Sequence, residues 1–115
     1  MNKENLIKLS LISEDTQADC PFKEDYDCTV IRHTDNNKWY GLIFEMEGKL
    51  YINLKCNPDL AAVLKDEYSA ITSAWHMNKK HWIKVDVNNI DKKELSKLIK
   101  ISYDLTASKK RIRKS

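Results

Sequence analysis

The chain has 115 residues, of which 42% are hydrophobic and 32% are charged, and it contains only two glycines and two prolines. This length and composition fit one globular domain and exclude disordered and fibrous classes. The net charge of +3 comes from the end of the chain, because residues 109–115 carry five basic groups whereas residues 1–108 carry 15 basic and 17 acidic groups.

Targeting and redox signals are few. No apolar run approaches the roughly 18 residues of a membrane span, and the first residues lack the apolar region and cleavage site of a signal peptide. The chain has three cysteines, Cys20, Cys28 and Cys56. An odd number of cysteines with no C-x-x-C pair is typical of reduced thiols. We therefore expect a cytoplasmic protein that makes no membrane contact.

The first half of the chain predicts a helix, a loop and a meander of strands. Residues 4–12 are interpreted as a short helix and the acidic stretch 13–27 as a loop. Runs rich in β-branched and aromatic residues predict strands over 28–32, 38–46 and 49–55, with a tight turn at Glu47-Gly48. In the third strand, Leu50, Ile52 and Leu54 should face the core, and Tyr51, Asn53 and Lys55 should form a polar face.

The second half predicts two helices around two further strands. Asn57 and Pro58 are typical of the start of a helix, in which Leu60, Val63 and Leu64 should pack on the sheet. Strands are predicted over 70–76 and 81–87, with Ile83, Val85 and Val87 facing inward. A last helix should begin near Asp91, with Glu94 completing a capping box and a buried stripe formed by Leu95, Leu98, Ile99, Ser102 and Leu105.

These elements predict an α+β fold: an antiparallel sheet of about five strands with two or three helices packed on it. Residues 1–108 should form a single domain, which we expect to be a monomer, and residues 109–115 a basic tail.

Catalytic and metal signatures are weak. His33, His76, His81 and the cysteines do not have the close ligand pairs of a structural zinc site. Two glycines cannot form a phosphate-binding loop, and no nucleophile motif or EF-hand spacing occurs. We therefore expect a protein that is not an enzyme and has no cofactor.

The segment "AWHMNKKHWIKV", residues 74–85, combines two tryptophans with two histidines and three lysines. Lys79, Lys80 and Lys84 suit phosphate contacts, Asn78 a phosphate or a base edge, and Trp82 stacking. The structural alternative is an exposed turn with solvated lysines, whose tryptophans belong to the core. We expect a hairpin or turn in which Asn78 occupies the turn, His76 and His81 flank it, and Lys79 and Lys80 are exposed at the tip.

Four stretches in this order resemble the MmcQ/YjbR family of small bacterial proteins: "CPF" (20–22), "NLKCNPD" (53–59), "WHMNKKHW" (75–82) and "ELSKLIKISYDL" (94–105). The resemblance implies a double-wing, CyaY-like α+β fold, a DNA-binding role and no established catalytic activity. It places the family's characteristic polar positions at Lys55, Cys56, Pro58, His76, Asn78, Lys79, His81, Trp82, Ser102 and Tyr103.

Two functional hypotheses follow. The first is a non-enzymatic DNA-binding or regulatory protein that contacts nucleic acid with Lys55, His76, Asn78, Lys79, Lys80, His81, Trp82 and Lys84. The alternative is a module that binds a protein or a small ligand in a groove around Trp82, His76 and Tyr103. The net charge of −2 on residues 1–108 favours the alternative, and the lysine cluster favours DNA.

Overall fold

A computed structural model describes residues 1–20, 28–74 and 77–108. Within these ranges the chain forms three α-helices, six β-strands and one 3-10 turn. In chain order they are α1 (Lys3–Ser10), β1 (Thr16–Asp19), β2 (Thr29–His33), β3 (Trp39–Met46), β4 (Lys49–Lys55), α2 (Pro58–Glu67), β5 (Ile71–Ser73), β6 (Trp82–Asp86), the 3-10 turn (Val87–Asn89) and α3 (Lys92–Thr106).

The six strands form one antiparallel sheet in the order β1-β2-β3-β4-β6-β5. The predicted α+β class is confirmed, and the five predicted strands are all present. The turn at Glu47-Gly48 is also confirmed, since both residues have positive φ, 53° and 76°, and Met46 pairs with Lys49 across it.

The sheet has a sixth strand, β1, in the stretch that was predicted as a loop. β1 lies at the edge and pairs with β2 from Thr16 opposite His33 to Asp19 opposite Val30. An ion pair between Arg32 and Asp19 also joins the two strands, and its hydrogen bond holds the pKa of the Asp19 carboxyl below its ordinary value. The loop prediction was wrong over residues 16–19, because a half-exposed edge strand needs little apolar character, and its part over residues 21–27 lies outside the described residues.

One face of the sheet, here called the helix face, carries the main core. Ile31, Ile43, Ile52, Ile83 and Val85 of the strands are buried there against Leu6 of α1, Leu64 of α2, and Leu95 and Ile99 of α3. The inward alternation predicted for β4 and β6 is confirmed, because Leu50, Ile52 and Leu54, like Ile83, Val85 and Val87, are all buried.

The opposite face, here called the open face, has a second apolar cluster. Val30, Leu42 and Phe44 are buried on it, and Trp39, Met46, Tyr51 and Met77 pack around them. Asn53 is fully buried, and its Nδ2 donates to Met77 Sδ at 3.5 Å. The prediction that β4 has a polar outer face was therefore wrong at Asn53, because Met77 covers this side of the sheet.

The predicted start of α2 is confirmed, whereas the predicted capping box of α3 is wrong. The Asn57 side chain accepts a hydrogen bond from the Leu60 amide at 2.9 Å. Asp91 is the N-cap residue of α3, but its side chain makes no capping hydrogen bond, and Glu94 Oε2 instead accepts from the Tyr68 hydroxyl at 3.4 Å.

Two residues of the predicted helix stripes lie at the surface. Val63 of α2 is 51% exposed and Leu105 of α3 is 48% exposed, so both burial predictions were wrong. The nearest buried positions are Ala61 and Leu64 in α2, and Ser102 and Thr106 in α3, where Leu95, Leu98 and Ile99 are buried as well. The members of each pair are three or four residues apart and therefore share one side of their helix. Val63 and Leu105 are rotated from Leu64 and Thr106 by about 100° around the helix axis, which moves them away from that buried side.

Candidate nucleic-acid interface

Strand register brings three of the predicted site residues together. In the β4–β6 pair, Lys55 lies opposite Trp82 and Asn53 lies opposite Lys84. Because Ile83 and Val85 face the helices, the two-residue period places Trp82 and Lys84 on the open face together with Lys55. Trp82, Lys84 and Lys55 are all half-buried there.

The chain enters β6 through a tight turn built on Asn78. The Asn78 carbonyl accepts from the His81 amide at 3.1 Å, and its side-chain Oδ1 accepts from the Lys80 amide at 2.9 Å. A short amide side chain that bonds the backbone two residues on is typical of turns. The prediction that Asn78 forms the turn is confirmed, and the turn leaves Lys79, Lys80 and His81 exposed.

The turn is also attached to the neighbouring strand. The His81 carbonyl accepts a hydrogen bond from the Cys56 amide at 2.8 Å, one residue beyond the end of β4. The turn and the ends of β4 and β6 therefore form one continuous surface, here called the basic face and defined as Lys55, Lys79, Lys80, Trp82 and Lys84.

Among the described residues, short ion pairs do not neutralise the positive charge of the basic face. In the ranges that the structure describes, no carboxylate lies within ion-pair distance of its four lysines. Lys84 Nζ lies 4.9 Å from the centroid of the Tyr51 ring, which stacks on Phe44 at 5.5 Å. This cation–π contact orients the Lys84 side chain and, unlike an ion pair, does not neutralise it.

Two parts of the predicted interface lie outside the described residues. They are His76, which the sequence placed beside Asn78, and the basic tail of residues 109–115. The structure places the other seven predicted contact residues either on the open face or in the adjoining turn.

The groove predicted around Trp82, His76 and Tyr103 is not formed by its two described members. Tyr103 lies on the helix face, where its ring is 4.6 Å from that of His33 and 5.3 Å from that of Tyr40. Trp82 lies on the open face, so the sheet separates the two rings. The sequence could not show this, because it does not reveal which face of the sheet α3 covers.

Ser102 has a role at the edge of the site that the sequence did not predict. Its Oγ donates to the Tyr40 carbonyl at 2.6 Å and accepts from the Lys55 amide at 2.8 Å. The hydroxyl thus bridges β3 and β4 where their ladder ends and fixes the backbone of Lys55. The signs of it in the sequence were a serine within an otherwise apolar helix stripe and the family resemblance, which places a characteristic polar position at Ser102.

The cysteines and histidines that the structure describes do not converge on a metal site. Among the described residues no group of three or more His, Cys, Asp or Glu side chains is placed to hold a metal ion. Cys56 is buried, and this burial raises the pKa of its thiol. His33 is also buried, and its Nε2 is 2.8 Å from Thr106 Oγ1.

None of the described helices combines the length and the apolar character that crossing a bilayer requires.

Comparison with known proteins identifies the family. The YjbR family model matches residues 12–105, which is most of the chain. The chain belongs to the YjbR family. It is 32% identical to the uncharacterized protein YyaQ of Bacillus subtilis, over 92% of this chain and 98% of that protein.

Two solved structures are similar to this chain in fold. A Pseudomonas syringae protein of known crystal structure is 35% identical, with a TM-score of 0.85 over 93% of this chain and all of that one. A Deinococcus radiodurans protein with a DUF419 domain is 22% identical, with a TM-score of 0.77 over 93% of this chain and 79% of that one, and it shares the fold. The predicted family resemblance is therefore confirmed.

Proposed function

We propose that the protein binds nucleic acid, DNA in particular, without catalysing a reaction, and that the basic face makes the contacts. The observation that supports this proposal is the β4–β6 register, which places Lys55, Trp82 and Lys84 together beside a turn that exposes Lys79 and Lys80. Lysines clustered beside an aromatic ring are a typical combination in nucleic-acid-binding surfaces.

The chemistry of the basic face assigns a different contact to each group. The ammonium groups of Lys79 and Lys80 are exposed and suit phosphate oxygens. Trp82 offers a ring for stacking or apolar contact with a base or a sugar. Asn78 Oδ1 is occupied by the turn, so its Nδ2 is the group that remains to donate to a phosphate or a base edge.

The double variant Lys79→Ala/Lys80→Ala tests the proposal. Binding of a labelled DNA duplex is measured by fluorescence anisotropy at several salt concentrations. We expect weaker binding and a plot of log K against log salt that is shallower by up to about 1.8, since each lost phosphate contact contributes about 0.9 to the slope. The free energy of unfolding should change by less than about 0.5 kcal/mol, because both side chains are exposed.

A matched control removes the same charge elsewhere. Lys97→Ala/Lys100→Ala takes two exposed lysines from α3, where each pairs with an acidic residue of the same helix. The control should keep nearly all of the affinity and the salt slope. Equal losses in both double variants would mean that only net charge matters and would contradict the assignment to the basic face.

Binding of a protein is a second candidate, and the apolar cluster of the open face favours it. Trp39, Met46 and Tyr51 are half-buried around Val30, Leu42 and Phe44, so apolar surface remains accessible there. A protein partner held by this cluster should be released by Trp39→Ala and be nearly insensitive to salt. DNA held by the basic face should show the opposite pattern.

A further inference from the structure

A cleft at the opposite end of β6 from Trp82 has the features of a separate ligand site. It has a volume of about 640 Å³ and lies between α1 and the connection from β6 to α3. This volume is within the range of small-molecule sites. The cleft is lined by Asn5, Lys8 and Leu9 from α1, and by Val87, Ile90 and Lys92 from the connection and the start of α3, together with Met1 and Asn88.

The charge of this cleft is positive. Lys8 and Lys92 contribute two ammonium groups, and no carboxylate is among the residues that line it in the described part of the chain. Lys8 Nζ is 3.9 Å from Glu4 Oε1, but both side chains are about three-quarters exposed, at 73% and 78%. An ion pair this exposed is weak, so Lys8 keeps most of its attraction for an anion.

The start of α3 places Lys92 beside the positive end of a helix dipole, in a first turn that also carries Glu94. Lys92 is the first residue of this 15-residue helix, and the preceding Asp91 makes no side-chain capping hydrogen bond. A lysine in the first turn opposes the helix dipole, whose positive end lies there. A local arrangement that costs stability in this way is often found at functional sites.

The other half of the lining is apolar. Val87 is buried, and Leu9 and Ile90 are half-buried at the surface of the cleft. An inorganic anion would leave these side chains in contact with water, whereas an apolar molecule would gain nothing from the two ammonium groups, of which Lys8 has only its exposed pair with Glu4. The two halves together select a ligand that has both an anionic group and an apolar body.

We propose that this cleft binds a small amphipathic organic anion, with its charged group at Lys8 and Lys92 and its apolar body against Leu9, Val87 and Ile90. The site is distinct from the basic face, because it adjoins the C-terminal end of β6 and the basic face adjoins the N-terminal end. A test of ligand binding in this cleft can therefore succeed or fail independently of nucleic-acid binding.

Amide NMR titration of the full chain tests the proposal, with octanoate below its micelle concentration as the probe. Octanoate should shift the resonances of the lining residues in a saturable manner. Octanol and octylamine lack the anionic group, and inorganic phosphate lacks the apolar body. Each should bind at least about fivefold more weakly than octanoate, the factor that corresponds to about 1 kcal/mol. Equal binding of any of the three, shifts confined to other regions, or no saturable shift would overturn the proposal.

Charge-removing variants give a second, independent readout. Lys8→Gln and Lys92→Gln should each weaken octanoate binding by about two- to fivefold, the range measured for exposed charge pairs. Lys97→Gln, an exposed lysine on α3 outside the cleft, is the matched control and should leave the affinity unchanged. If Lys97→Gln lost as much affinity as Lys8→Gln and Lys92→Gln, the effect would come from net charge, and the proposed site would be wrong.

Discussion

The hydroxyl of Ser102 connects three elements with two short hydrogen bonds. It lies on α3, is fully buried, and bridges the Tyr40 carbonyl of β3 and the Lys55 amide of β4. Ser102→Ala would leave both backbone groups without this partner, at a cost of about 1 to 3 kcal/mol for each buried group. We expect the free energy of unfolding, measured with urea, to fall by about 2 to 6 kcal/mol.

A control for this residue is available six residues earlier on the same helix. Ser96 is half-buried, and its hydroxyl makes no hydrogen bond in the part of the chain that the structure describes. Ser96→Ala should change stability by less than about 0.5 kcal/mol, or raise it slightly because alanine favours helix. If Ser102→Ala were equally mild, the bridge would not contribute to the stability of the β3–β4 edge.

At the scale of elements, the β3–β4 hairpin has one residue poorly matched to its turn. Glu47 has φ of 53° and precedes Gly48 at 76°, which is the left-handed pair of a two-residue hairpin. Asparagine adopts this conformation far more readily than glutamate. Glu47→Asn should therefore raise stability by about 0.5 to 1 kcal/mol, seen as a higher Tm, while Gly48→Ala should lower it. A Tm unchanged by Glu47→Asn would contradict this account.

The elements also show which parts of the fold were predictable from the sequence. β3, β4 and α2 were correctly predicted because local signals define them: the two-residue alternation, the Glu47-Gly48 turn and the Asn57 cap. β1 was missed because its stability comes from pairing with β2, a contact between distant positions that leaves little apolar pattern in "TQAD".

The candidate site was predictable only as a set of residues. The lysines and Trp82 could be selected by their chemistry, but their shared face depends on β4 pairing with β6 across an intervening helix and strand. Tyr103 was assigned to the same groove because the sequence does not indicate which face of the sheet α3 covers. Long-range strand order and helix placement were therefore the missing information.

At the scale of the whole molecule, charge is divided between a slightly acidic body and a strongly basic end. Residues 1–108 carry a net charge of −2, and residues 109–115 carry five basic groups. A basic segment binds phosphates without regard to sequence, so it can obscure the contribution of a local face. Removing the tail separates its contribution to nucleic-acid affinity from that of the basic face, since the basic face lies wholly within residues 1–108.

Removal of residues 109–115 should leave DNA binding detectable at low salt but make it weaker and less dependent on salt. Each tail charge that neutralises a phosphate contributes about 0.9 to the slope, so the slope should fall by up to about 4.5. A full-length variant with the five tail lysines and arginines replaced by glutamine controls for chain length, and it should match the truncated protein in anisotropy titrations. The basic face would then account for the binding that remains, and Lys79→Ala/Lys80→Ala in the shortened chain should abolish it. Complete loss of binding on truncation alone would instead assign the interaction to the tail.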